Sequence, residues 1–75
     1  MKTANHMAHI NKYDGKTGDL LSSRDTILSK TELLEALRTL WEYIKFEYEE
    51  DCTSAYVYAK KGNEFPAYIF EISNI

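Results

Sequence analysis

The feature that most constrains this chain is a single amphipathic segment that opens at Ser29. Ser29-Lys30-Thr31-Glu32 has the form of a capping box, in which the Ser29 hydroxyl accepts from the Glu32 N–H and the Glu32 carboxylate accepts from the Ser29 N–H. Leu28 and Leu33 stand where a hydrophobic staple would close over that cap. At about 100° per residue, Leu33, Leu34, Leu37, Leu40, Trp41, Ile44 and Tyr48 fall in one stripe, with Glu35, Arg38, Glu42, Lys45 and Glu49 outside it. The end of the helix is contested. Ile44 to Glu49 alternates as a half-buried strand would, and Glu49, Glu50 and Asp51 oppose the dipole at a helix C-terminus. No Gly, Pro or Asn breaks the chain between Leu40 and Asp51, so the segment is expected to run as helix to about Glu50, leaving Tyr43 and Phe46 outside the core stripe.

The C-terminal third carries the other ordered signal. Ala55-Tyr56-Val57-Tyr58-Ala59 alternates small and aromatic residues, Ala67 to Ile72 alternates again, and Lys60-Lys61-Gly62-Asn63 supplies a turn between them. With an even loop, Ala55, Val57 and Ala59 share a face with Tyr68, Phe70 and Ile72, and the helix docks there. Tyr56, Tyr58 and Ile69 then face the other way. Pro66 cannot donate to a ladder, which places it at an edge or in the turn. Ala8–Tyr13 and Asp19–Ser22 give a weaker hairpin signal around Gly15 and Gly18, two glycines able to supply positive φ. Residues 1–9 show neither period and are expected to fray. The predicted fold is α+β, one domain over 1–75 of order β-β-α-β-β, with one helix on a small antiparallel sheet and a doubtful first hairpin.

A chain of 75 residues that is 44% hydrophobic and 28% charged has room for one core. Cys52 is its sole cysteine, so no intrachain disulfide can form; with nothing resembling a signal peptide, a reducing cytoplasm is expected. No apolar run approaches the roughly 20 residues of a membrane span. The net charge of −3 is unevenly spread, because residues 32–51 hold seven acids against two bases. The one adjacent basic pair is Lys60-Lys61, which disfavours direct binding of nucleic acid, since phosphate backbones need clustered cations.

No residue pattern calls for catalysis, a cofactor or a metal. His6 and His9 have helical spacing but lack Cys or carboxylate neighbours for a metal. Gly15-Lys16-Thr17 lacks the glycine five positions earlier that a phosphate-binding loop requires, that position being Ile10. Asp14, Thr17 and Asp19 lack the spacing of a calcium loop. Cys52 has no nearby base in sequence, and the acids of residues 47–51 are expected in solvent, where no pocket shifts their pKa.

What remains is a contact surface. Aromatic residues anchor interfaces and rim carboxylates steer a basic partner, so Tyr43, Phe46, Glu47, Glu49, Glu50 and Asp51, expected on an acidic aromatic helix, and Tyr56 and Tyr58 of the hairpin are the candidate partner-binding residues. In size and charge the chain resembles the small acidic single-domain inhibitors carried by phages and mobile elements. The resemblance implies a non-enzymatic inhibitor or regulator that binds a basic, nucleic-acid-handling protein. A structural homodimer and a small-ligand or metal-binding protein are the alternatives.

Overall fold

Residues 6–75 are described by the structure, a computed structural model. In chain order the elements are β1 (Ala8–Asp14), β2 (Leu20–Thr26), α1 (Lys30–Leu40), β3 (Tyr43–Tyr48), β4 (Cys52–Tyr58) and β5 (Tyr68–Asn74). Among the described residues the strands form one antiparallel sheet in the order β2-β1-β5-β4-β3, and α1 carries the chain from one edge strand to the other. The α+β class stands, with a fifth strand that makes the order β-β-α-β-β-β.

The first hairpin forms. Asp14 Oδ1 accepts from the backbone N–H of Lys16 (2.8 Å) and Thr17 (2.9 Å), which tightens the turn and holds the Asp14 carboxyl below the usual carboxylate range. Gly18 supplies the positive φ, at +81°, whereas Gly15 serves another need. A Cβ on Gly15 would lie 2.0 Å from the Pro66 carbonyl oxygen, so only glycine lets this turn pack against the loop before β5. Fraying over 1–9 does not extend to Ala8 and His9, which open β1; Ala8 is wholly buried, and Met7 N–H donates to Thr26 O (2.8 Å). Residues 1–5 lie outside the described residues.

Both capping-box bonds are present, Glu32 N–H to Ser29 Oγ (3.2 Å) and Ser29 N–H to Glu32 Oε1 (3.1 Å). The expected continuation of the helix to Glu50 is overturned. Trp41 adopts an extended backbone (φ −120°, ψ 123°) while its N–H still donates to Leu37 O, and β3 begins two residues later. The strand wins because it pairs every residue from Tyr43 to Tyr48 with β4 and turns Ile44 and Phe46 onto the core, which a helix could not do together. It also removes three acids from a helix C-terminus. Phe46 is therefore a core-side residue, and Leu40, expected in the stripe, is 76% exposed at the point where α1 leaves the sheet.

The helix covers one face. Ala8, Leu37, Ala55 and Ile72 form its buried centre, surrounded by Ile10, Leu33, Leu34, Trp41, Ile44, Phe46 and Phe70. Small Ala55 stands opposite large Phe70, which leaves space for the helix as the alternation implied. Trp41 closes one end, edge-on to Tyr68 at 5.9 Å, and the Arg38 guanidinium lies 5.1 Å over the Phe46 ring.

Candidate functional site: the uncovered face of the sheet

Antiparallel pairing brings residues far apart in sequence into transverse rows on the face away from α1. One row reads Leu20, Tyr13, Ile69, Tyr56, Lys45 across all five strands. The next reads Ser23, Asn11, Glu71, Ser54, Glu47. The uncovered face thus sets an aromatic row beside an acidic one. Tyr43 and Tyr58 pair beyond the aromatic row at the start of β3.

Of the eight candidate contact residues, the fold brings Tyr43, Glu47, Tyr56 and Tyr58 onto this face. Glu49, Glu50 and Asp51 form the exposed turn at its edge, closed by Glu49 N–H donating to Cys52 O (2.9 Å). Phe46 is separated from them, pointing to the helix side. Tyr56 OH donates to Glu47 Oε1 at 3.4 Å, and burial, with Glu47 beside it, pushes the Tyr56 phenol above its ordinary pKa. Sequence reading missed Tyr13 and Glu71, because their places depend on pairing between β1 and β5, the two ends of the chain.

At the other end of the acidic row lies a polar network that no short motif announced. His9 Nδ1 is 2.6 Å from Asp25 Oδ1, and His9 Nε2 is 2.9 Å from both Asn11 Oδ1 and Ser23 Oγ. Asn11 Nδ2 in turn donates to Glu71 Oε1 (3.3 Å), as does Tyr13 OH (3.4 Å). Aspartate, histidine and serine in this order have the connectivity of a hydrolase triad, but the protons run the wrong way for one. A base must accept at Nε2, whereas the Asn11 carbonyl oxygen facing Nε2 calls for a donor there. With acceptors at both nitrogens the ring is best satisfied as the imidazolium, and the bonds to Asp25 and then Asn11 raise the His9 pKa. His9 is thereby placed on a strand in a cross-strand ion pair, not on a helical face with His6.

The remaining sequence candidates are accounted for locally. Cys52 is half-buried, and burial, with Glu71 and Glu49 adding to it, pushes its thiol above the ordinary range, opposite to what a nucleophile requires. Asp14 and Thr17 are spent on the β1–β2 turn, Thr17 Oγ1 donating to Asp19 Oδ2 (3.1 Å). No helix among the described residues is long and apolar enough to cross a membrane. No family model, curated protein or solved structure matches this chain.

Proposed function

We propose that this protein is a non-enzymatic inhibitor or regulator that binds a basic surface of another protein through the uncovered face of its sheet. The observation that carries the reading is the pairing of rows: Tyr13, Ile69 and Tyr56 offer anchors at the middle of the sheet, and Glu47 on the edge strand β3, with the Glu49-Glu50-Asp51 turn, supplies a negative rim along one side. Rings at the centre and carboxylates at the border are the arrangement in which apolar contact sets the lifetime of a complex and charge sets its rate of formation. A protein that handles nucleic acid presents the cationic groove such a surface would fill. The likeness in size and charge to phage-borne inhibitors agrees with this class of partner.

The test begins with capture of a partner from lysate at low and high salt and proceeds to kinetics. Reversing Glu47, Glu49 and Glu50 to Lys is expected to slow association, with an effect that shrinks as salt rises, because exposed charges are screened over about 8 Å at physiological ionic strength. Tyr56→Ala is expected to speed dissociation and to weaken binding by about 2 kcal/mol. Parental kinetics in both folded variants would remove this face as the contact. A second reading, the homodimer, draws on β2, an edge strand exposed from Leu20 to Asp25 that carries Leu20 and Leu21 in solvent. Sedimentation at two concentrations separates the two.

A further inference from the structure

At the end of the β3–β4 hairpin away from its acidic turn, the surface forms a cleft of about 400 Å³. Tyr43 and Tyr58, opposed across the ladder, line it together with Lys45, two residues along the same face, and Lys60 and Lys61 from the loop after β4. That loop folds back on itself through Asn63 N–H donating to Lys60 O (3.3 Å). Glu42 is the one carboxylate in the lining, so three lysines against one acid make a positive corner in a chain of net charge −3. Among the described residues the only ion pair joins His9 and Asp25, so none of these lysines is matched by a carboxylate. Even with Glu42 in the lining the corner keeps an excess of positive charge, and an anion seated among the lysines would balance it. The two tyrosines beside them present rings on which a planar group stacks.

We propose that this cleft binds a small ligand joining a planar ring to a phosphate, of the nucleoside phosphate class. Its volume falls within the roughly 300–1,000 Å³ of small-molecule sites. Tyr43 and Tyr58 take the ring; Lys45, Lys60 and Lys61 take the phosphate. The ligand is small and not a polymer, because the positive surface stops at Lys45. Beyond it the same edge of the sheet carries Glu47, Glu49, Glu50 and Asp51, which repel a strand continuing along the hairpin. The cleft adjoins the protein contact proposed above, sharing its face at Tyr43, Lys45 and Tyr58, but its ligand is tested without the partner, so either proposal can fail without the other.

The experiment titrates the full chain with AMP and ATP, with adenosine and inorganic phosphate as controls, and follows backbone amide resonances. AMP is expected to give saturable shifts confined to residues 42–45 and 58–63, with adenosine and phosphate each binding at least about tenfold more weakly. The Lys60→Gln/Lys61→Gln variant, altered at two exposed positions and checked for folding by circular dichroism, is expected to lose about tenfold in affinity and most of the salt dependence. Tyr58→Ser is expected to weaken AMP while leaving phosphate unchanged. No saturable shift with AMP or ATP at about 10 mM, phosphate binding as tightly as AMP, or unchanged affinity in the lysine variant would each overturn the proposal. A single-stranded octanucleotide bound more than about tenfold tighter than AMP would also overturn it, in favour of an extended strand.

Discussion

The two faces of this sheet are built from the same five strands and obey opposite rules. Under α1, Ala8, Ala55, Val57 and Ile72 are wholly buried; the Thr53 hydroxyl is buried without a partner, and the cations of Arg38 and Lys12 meet this face only over the rings of Phe46 and Tyr68. On the other face, side chains of similar strand position are only half-buried and are tied by hydrogen bonds: Asp25 to His9, His9 to Asn11, Asn11 to Glu71. The covered face holds the fold together and can tolerate little change. The uncovered face specifies no core, and that leaves its residues available for recognition. Alternation along each strand is what lets 75 residues do both.

The largest expected effect tests that division directly. Ile72→Ala, on the covered face, should cost about 2 to 5 kcal/mol in chemical denaturation, enough to unfold much of so small a domain. Ile69→Ala, three residues earlier on the open face, should cost less than about half as much, because its site can fill with water. Equal losses would mean that something covers the second face as well, a second copy first among the candidates. Next in size is the helix that makes the difference between the faces. Ser29→Ala should remove about 1 kcal/mol by leaving the Glu32 N–H uncapped, whereas Ser22→Ala on the exposed edge strand should leave the midpoint nearly unmoved. Matching losses at both positions would detach stability from the cap.

The smallest effect belongs to the open face and depends on pH. The folded pKa of His9 is raised above its ordinary value near 6.5, so its bond to Asp25 stabilises the native state fully below that value and fades as pH rises through the folded pKa. The stability difference between the parent and His9→Gln, read from urea midpoints, should therefore be larger at pH 5 than at pH 9. A difference that grows with pH would show that His9 is held neutral and would reopen the triad assignment.

How far the sequence reveals this molecule depends on the distance between the residues that must meet. The Ser29–Glu32 cap, the β4–β5 hairpin and the partition of Tyr56, Tyr58 and Ile69 from Val57, Phe70 and Ile72 rest on neighbours in the chain, and all were legible. The end of α1 was misread because the chain turns at Trp41-Glu42 without a glycine or proline; the alternation of Ile44 to Glu49 was the truer local signal. That error in turn hid the cleft, since Lys45 and Tyr43 on a helix could not stand beside Tyr58 and Lys60. The pairing of Tyr13 with Ile69 and the His9 network were beyond local reading, as they require strands from opposite ends of the sequence to lie side by side.

That pairing governs how the molecule assembles as well as how it looks. The β1–β2 hairpin and the β3–β4–β5 meander are each made of sequence neighbours, but the centre of the sheet is the junction between them, where Ala8 meets Asn74. Closing that junction requires nearly the whole chain to be gathered before its bonds form, so the entropy of a long loop is spent ahead of any return. The expected kinetics are those of a small β protein, milliseconds or slower despite its length, with the junction as the barrier. Until it closes, β1 and β5 each present a bare edge. Newly made chains are then most exposed to association with one another at the strands that lie deepest in the finished sheet.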